Sequence, residues 1–83
     1  MGARTTWPQF DHLTADEFAA LLRSSKLSSE EREIATQCIV WHMPYIDTGC
    51  IVHMDRRTVA RKMERVIVPE LERMMRRYDK AGA

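Results

Sequence analysis

Five basic side chains fall within ten consecutive residues of this chain, and they are its most chemically distinctive feature. Asp55 directly precedes them and is suited to cap the N-terminus of a helix that carries all five. The first turn of that helix holds two guanidinium groups, although the helix macrodipole favours acidic side chains there. Arginine presents a rigid fork of donors that matches phosphate oxygens and the O6 and N7 edge of guanine. The segment therefore has the chemistry of a helix that contacts nucleic acid, through Arg56, Arg57, Arg61, Lys62 and Arg65.

Helical spacing predicts different roles for these side chains. Arg57 and Arg61 lie one turn apart, opposite a predicted apolar stripe formed by Val59, Met63, Val66 and Ile67. We predict that these two arginines reach base edges in the major groove of DNA, where Glu64 accepts a hydrogen bond from a cytosine amine. The other polar side chains are predicted to hold phosphates and to set the register of the duplex: Arg56, Thr58, Lys62 and Arg65.

The alternative for this helix is an ordinary solvated surface. Arg61 and Glu64 are three residues apart, so they would then form a weak ion pair worth about 0.2 to 0.5 kcal/mol.

The distribution of charge along the chain also bears on the choice between a nucleic-acid interface and a solvated surface. Residues 1–50 carry four Lys or Arg against seven Asp or Glu, whereas residues 51–83 carry nine against five. An acidic front half and a basic back half suit a protein that presents one face to a polyanion, or else two solvated faces of opposite sign.

Two cysteines and two histidines have the ligand types of a structural zinc site. Cys38, however, falls on the predicted apolar stripe of a helix, where a free cysteine behaves as a small hydrophobic residue. The order and spacing of the four match no zinc-finger type, so we predict neither a metal nor any other cofactor for Cys38, His42, Cys50 and His53. Catalysis is not expected either, because neither cysteine has an identifiable base with an orienting partner, and the chain has no glycine-rich phosphate loop. We therefore expect a binding protein and not an enzyme.

Composition is that of a small globular domain. A chain of 83 residues buries only about 60 to 65% of the surface that its unfolded state exposes. Apolar residues make up 45% and charged residues 30% of the chain, which is ordinary for a globular protein. There is no apolar run of membrane-spanning length and no signal-peptide core near the N-terminus. We expect a cytoplasmic protein whose two cysteines stay reduced.

Helix signals begin after an N-terminal extension. Residues 1–12 show no periodicity and are predicted to be irregular, and residues 13–80 are predicted to form a single helical domain. Thr14 and Glu17 form a capping box, which predicts a first helix from about Ala15 to Ser24 that buries Phe18, Leu21 and Leu22. A second capping box, Ser28 with Glu31, predicts a second helix that runs to about His42, with apolar positions Ile34, Ala35, Cys38, Ile39 and Trp41.

Three further segments read as helical. Pro44 suits the start of a short third helix that ends at about Val52, and the fourth begins at Asp55. Pro69 either kinks the fourth helix or starts a fifth from Pro69 to about Tyr78, with apolar positions Leu71, Met74, Met75 and Tyr78. No strand-like alternation is present. The predicted fold is an all-α bundle of four to five helices that contains a helix-turn-helix.

These residues resemble a known family. The segment from Leu27 to Leu71 looks like the promoter-reading C-terminal region of bacterial sigma factors, and small phage- or prophage-type regulators carry a similar unit. The most specific part of the resemblance is the run R-R-T-V-x-R that begins at Arg56. The resemblance implies that the fourth helix is the recognition helix in the major groove, with contacts from Arg56, Arg57, Thr58, Arg61 and Lys62.

Three positions depart from the pattern of that family. Thr48 and Gly49 stand where an apolar residue and alanine are usual, and His53 occupies a turn position that is commonly glycine. We predict that Gly49 marks the closest approach of two helices, where a small side chain is needed. His53 is predicted to lie at or beside a residue with positive φ, since histidine is among the few non-glycine types enriched there.

The predicted function is sequence-specific binding of double-stranded DNA by a transcriptional regulator. A protein–protein adaptor is the first alternative; it would dock on RNA polymerase or another partner through Leu71, Met74 and Met75. A phage DNA-packaging subunit with a helix-turn-helix is the second. Residues 66–78 either pack into the core or form the seam of a homodimer, in which two basic helices would meet successive major grooves about 34 Å apart.

Overall fold

The computed structural model describes the backbone of residues 7–82 and the side chains of residues 7–77. This part of the chain is all-helical and contains no strand, as predicted. The helices are α1 (Ala15–Ser24), α2 (Ser29–Ala35), α3 (Tyr45–Val52), α4 (Arg56–Lys62) and α5 (Val68–Gly82). Within the described range, none of them combines the length and the apolar character needed to cross a bilayer.

The predicted N-terminal extension lies partly outside the described residues, which exclude 1–6. From Trp7 onward the chain packs onto the body: Pro8–Phe10 forms a single 3-10 turn, and Phe10 is buried. The ring of Phe10 meets that of Phe18 edge to face, with centroids 6.0 Å apart. Both rings belong to the hydrophobic core.

The capping boxes of α1 and α2 form as predicted. The Thr14 hydroxyl accepts a hydrogen bond from the Glu17 amide at 3.1 Å, and the Glu17 carboxylate accepts one from the Thr14 amide at 2.9 Å. Ser28 and Glu31 repeat the same pair of bonds at 3.1 and 2.9 Å. Each box satisfies two amides that a helix start leaves without partners, which explains why both predicted starts are correct.

The helical run that begins with α2 ends at Val40, close to the predicted end at about His42, but it is not a regular α-helix throughout. After Ala35 the chain widens into a π-helical turn, Thr36–Val40, in which the Trp41 amide donates to the Thr36 carbonyl at 3.2 Å. The Thr36 hydroxyl also donates to the Arg32 carbonyl at 2.9 Å, a contact that bends helices locally. His42 then adopts a left-handed conformation with φ of 55°, which ends the helix.

This wider turn moves Trp41 off the apolar stripe. Ile34 and Cys38 are fully buried as predicted, but Trp41 is 67% exposed. A π-helical turn bonds residue i to i+5 and therefore inserts one extra residue into the helical register. The expectation that Trp41 belongs to the core is incorrect for this reason.

A second π-helical turn, Met63–Ile67, joins α4 to α5 without a break. Pro69 has no amide hydrogen and its ring crowds the carbonyl four residues earlier, so a regular α-helix is unfavourable there. The wider turn resolves this, since the Val68 amide donates to the Met63 carbonyl five residues back. A fifth helix is thus present and starts at Val68, one residue before the predicted start at Pro69. It follows the π-helical turn directly and extends to Gly82, beyond the predicted end at about Tyr78.

The change of register also decides which side chains form the core. Val66, predicted as part of the apolar stripe, is 42% exposed, so that prediction is wrong. The buried seam of α4 and α5 instead consists of Val59, Met63, Ile67, Val68 and Leu71. Leu21 and Met75 are half-buried against this core, Met74 is half-buried as well, and the side chain of Tyr78 lies outside the described residues.

A carboxylate clamp joins the segment between α1 and α2 to α5. The Glu70 carboxylate accepts a hydrogen bond from the Lys26 amide at 2.9 Å. Its other oxygen accepts two from the Arg73 guanidinium, at 2.8 and 3.0 Å. The bond from the Lys26 amide, followed by those from Arg73, lowers the pKa of Glu70. Glu70 thereby holds together two segments separated by 44 positions in the chain.

Replacing Glu70 with Gln should reduce the pH dependence of stability. The pKa of this carboxyl is lowered in the folded state, so its contribution is complete above the ordinary value of 4.5 and is lost as pH falls through the folded value. Urea-denaturation midpoints of wild type and Glu70→Gln, measured between about pH 7 and about pH 3, should therefore converge at low pH, with wild type more stable at neutral pH.

Glu72→Gln is the control for this experiment. Glu72 lies on the same helix and is exposed, and its side chain makes no hydrogen bond or ion pair within the described residues. Its variant should follow the wild-type curve. Parallel curves for wild type and Glu70→Gln would contradict the role of Glu70 as a clamp.

Candidate nucleic-acid interface

A three-residue connection, His53–Asp55, leads from α3 into the basic helix α4. His53 adopts the left-handed conformation, with φ of 59° and ψ of 45°, which confirms the prediction of positive φ at the turn. The Met54 amide then donates to the Gly49 carbonyl at 2.9 Å and closes the C-terminus of α3. The turn is thus specified by backbone conformation and by hydrogen bonding together.

Gly49 is the point of closest approach at this turn. A side chain there would collide with the Met54 carbonyl oxygen, and the Arg56 amide nitrogen would lie 3.6 Å from a Cβ atom. The predicted need for a small residue is therefore confirmed. The prediction that two helices meet there needs one correction, because the nearest group belongs to the turn and α4 begins just beyond it.

Thr48 connects α3 to the π-helical turn that follows α2. Its side chain is fully buried, and its hydroxyl oxygen lies 3.4 Å from the Cys38 sulfur, at hydrogen-bonding distance. Burial raises the pKa of the Cys38 thiol, while the contact with Thr48 acts in the opposite direction. Cys50, by contrast, is exposed on α3. Within the described residues, no group of three or more His, Cys, Asp or Glu side chains is placed to hold a metal ion.

Asp55 caps α4, as predicted. Its carboxylate accepts a hydrogen bond from the Arg57 amide at 3.0 Å. The first turn of α4 contains no acidic residue, and Arg56 and Arg57 are both exposed there. On the opposite side, Val59 and Met63 are fully buried and hold the helix against the core. The cap and these two anchors determine which side of α4 faces solvent.

Four arginines occupy the exposed side of α4 and the π-helical turn that follows it. None of their guanidinium groups forms an ion pair or a side-chain hydrogen bond within the described residues. In particular, Arg61 and Glu64 do not form the ion pair expected of an ordinary solvated helix. We refer to this set as the arginine face: Arg56, Arg57, Arg61 and Arg65.

The remaining predicted site residues lie at the edges of this face. Thr58 is half-buried and Glu64 is exposed. Burial raises the pKa of Tyr45 to about 12, with smaller contributions from Cys38 and Glu64. Glu64 lies in the π-helical turn after α4, and its charge is within electrostatic range of Tyr45, the first residue of α3.

Lys62 differs from the four arginines. Its ammonium nitrogen lies 3.5 Å from a carboxylate oxygen of Glu31, and the Lys62 side chain is only 32% exposed. The Ser28 amide and, to a lesser extent, Lys62 lower the pKa of Glu31. Helical spacing could not reveal this pair, because Glu31 belongs to the capping box of α2 and lies 31 positions away. Lys62 therefore braces α4 against α2.

Comparisons with known proteins identify no relative. No protein-family model matches the chain, and neither a curated protein nor a solved structure matches it. The resemblance to sigma factors therefore rests on the residues quoted above. Function has to be argued from the geometry of the arginine face and its supports.

Replacing Gly49 with Ala should destabilise the protein. Inside an ordinary helix the same change stabilises by about 0.5 to 1 kcal/mol. Here the new Cβ meets a backbone carbonyl, which cannot rotate away, so we expect a loss of about 1 to 3 kcal/mol in the free energy of unfolding. Urea denaturation measures the difference.

Cys50→Ala provides the matched control, since it places the same side chain at the next position, which is exposed. Its stability should stay within about 0.5 kcal/mol of wild type. A Gly49→Ala variant as stable as wild type would show that the turn does not depend on this close contact.

Proposed function

We propose that the protein is a sequence-specific DNA-binding regulator of transcription, in which α3, the turn at His53 and α4 act as a helix-turn-helix within a helical bundle. The observation that carries this proposal is the arginine face. Its four guanidinium groups have no carboxylate partners within the described residues, although acidic side chains are available elsewhere on the surface. A polyanion supplies the missing partners.

The position of the cations on α4 favours insertion of the helix into the major groove. Arg57 and Arg61 are exposed opposite Val59 and Met63, so both can point at base edges when α4 lies in the groove. Arg56 and Arg65 lie toward the ends of this stretch and suit phosphate contacts. The half-buried Thr58 would add a phosphate contact, and Glu64 would accept from a cytosine amine on the side near α3.

Lys62 contributes less to this interface than its charge alone suggests. A phosphate that contacted Lys62 would compete with the Glu31 carboxylate, which lies 3.5 Å away. The net gain from exchanging one anionic partner for another is smaller than that from a free cation. Lys62 therefore acts first as a brace and second as a phosphate contact.

Docking on another protein is the second candidate function, and one observation favours it. Trp41 is 67% exposed and Ile46 is 57% exposed on either side of the connection between α2 and α3. An adaptor would use this surface, because Leu71, the leading anchor expected from the sequence, is fully buried. RNA polymerase or another partner would then bind next to the arginine face. A protein that only docks would show no salt-dependent affinity for duplex DNA.

Two further possibilities from the sequence are a DNA-packaging role and a homodimer. A DNA-packaging subunit would bind duplexes with little preference for sequence, so base discrimination distinguishes it from a regulator. Among the described side chains, a homodimer through residues 66–78 would use Val66, Met74 and Met75, because Ile67, Val68 and Leu71 are buried in the core.

Arg61→Ala should reduce base discrimination more than general affinity. The preferred duplex is first selected from a randomised pool, and binding to it and to a random duplex is then measured by fluorescence anisotropy. We expect the variant to lose about 1 to 3 kcal/mol on the selected duplex and little on the random one, because Arg61 contacts bases.

Arg56→Ala is the matched control on the same helix. It removes a predicted phosphate contact, so affinity for both duplexes should fall by a similar factor. If Arg61→Ala also lowered the affinity for both duplexes equally, α4 would bind DNA through charge alone. That result would contradict the sequence-specific role.

A further inference from the structure

A shallow groove lies beside the arginine face, between the segment that joins α1 to α2 and the start of α5. Three cationic side chains line it, Lys26, Arg65 and Arg73, together with the carboxylates of Glu31 and Glu70. The rest of the lining is apolar and consists of Leu27, Pro69 and the exposed side chain of Val66. The groove thus combines an apolar surface with an excess of positive charge.

Both carboxylates of the groove already have partners within the protein. Glu70 accepts from the Lys26 amide and from the Arg73 guanidinium, with distances of 2.8 to 3.0 Å. Glu31 accepts from the Ser28 amide at 2.9 Å and lies 3.5 Å from the Lys62 ammonium. These contacts leave the ammonium group of Lys26 and the guanidinium of Arg65 as the groove cations with no ion pair within 4.0 Å and no side-chain hydrogen bond among the described residues. The charge of Lys26 still makes a small contribution to the lowered pKa of Glu70.

We propose that this groove holds the phosphate backbone of the same DNA duplex that α4 binds, with Lys26 and Arg65 as the phosphate contacts. The proposal rests on the function proposed above and extends the interface beyond α4. Lys26 comes from a different part of the chain, and nothing in the spacing of the basic helix points to it. Its contribution is positional, since it fixes the duplex relative to the body of the protein.

Continuity between the groove and the arginine face supports this occupant. Arg65 belongs to both, and Glu31 on the groove wall is paired with Lys62 of α4. Arg57 and Arg65 are eight positions apart, which would span about 12 Å in a regular α-helix and somewhat less here, because Arg65 lies in the wider π-helical turn. The major groove is about 12 Å wide, so a strand that borders it passes Arg65 when Arg57 reaches into the groove. In this arrangement the DNA phosphate backbone would continue from Arg65 along the groove to Lys26, since both residues line it.

The apolar lining makes such contacts more effective than those of an isolated surface lysine. Water is partly displaced where a backbone lies against Val66, which reduces the dielectric screening of the adjacent cations. A DNA strand also carries one negative charge on each phosphate, so successive phosphates of one strand can contact Arg65 and Lys26. An acidic peptide would meet the same cations; if the groove served a peptide and not DNA, Lys26→Ala would leave the salt dependence of duplex binding unchanged.

The first test replaces Lys26 with Ala in the full chain. The hydrogen bond to Glu70 comes from the backbone amide of Lys26, so it persists in the variant and the fold should remain intact. We expect the slope of log affinity against log salt concentration to become shallower by about 0.9, the contribution of one phosphate contact. The loss should be equal on selected and random duplexes. Arg23→Ala is the control, since Arg23 is exposed on α1 and does not line the groove.

The second test is a gain of affinity, which misfolding cannot produce. Glutamine at position 31 can still complete the capping box, but it removes the negative charge that pairs with Lys62. Glu31→Gln should therefore bind random duplex DNA more tightly, with a slope steeper by up to about 0.9 as Lys62 becomes available to phosphate. Glu30→Gln changes the net charge equally at the neighbouring exposed position and should leave the slope unchanged.

The two proposals fail in different ways. If wild type binds duplex DNA, but Lys26→Ala keeps the wild-type slope and Glu31→Gln gains nothing over Glu30→Gln, the groove is not on the path of the backbone and the DNA-binding function stands. If folded wild type binds no duplex DNA, the proposed function fails and the groove assignment fails with it. A shallower slope for Lys26→Ala together with a gain for Glu31→Gln supports both.

Discussion

The close contact between Gly49 and the Met54 carbonyl is the constraint on which the rest of the interface depends. Because Gly49 has no side chain, the turn can fold back over the end of α3, where the Met54 amide bonds to the Gly49 carbonyl. Left-handed His53 reverses the chain, and Asp55 then caps α4. The direction of α4, and with it the direction of the arginines, follows from this sequence of local contacts.

The charged side chains fall into two groups: carboxylates that are engaged within the protein, and arginines that have no such partners among the described residues. The carboxylates of Glu17, Glu31 and Glu70 are engaged with backbone amides, and the latter two also with cations, so these acids stabilise the scaffold. The arginine face has no such partners among the residues that the structure describes. Two of its arginines occupy the first turn of α4, where the macrodipole disfavours positive charge by up to about 1 kcal/mol each. The proposed binding to phosphates would offset this unfavourable arrangement.

Local signals in the sequence predict the helix starts well, because capping acts over three or four residues. Thr14, Ser28 and Asp55 each cap the helix that was predicted for them, and His53 takes the expected left-handed conformation. These features depend on a single residue and its immediate neighbours. The chemistry of the arginine face is local in the same sense.

Two kinds of feature could not be predicted in this way. Each π-helical turn shifts the register by one residue, which exposes Trp41 and Val66 although a 3.6-residue period assigns both to the core. Pro69 was a signal of irregularity near the second turn, but it does not specify how the helix adapts. Contacts between distant segments, such as that of Lys62 with Glu31, cannot be predicted from helical spacing. These contacts determine which cations are available to a ligand.

The salt dependence of wild-type binding to a random-sequence duplex tests the central claim most directly. Fluorescence anisotropy with a labelled duplex gives the affinity at each salt concentration. If Arg56, Arg65 and Lys26 engage three phosphates, the slope of log affinity against log salt concentration is about −2.7. A folded protein that shows no binding at about 50 mM salt, or whose affinity does not change with salt, would contradict the account.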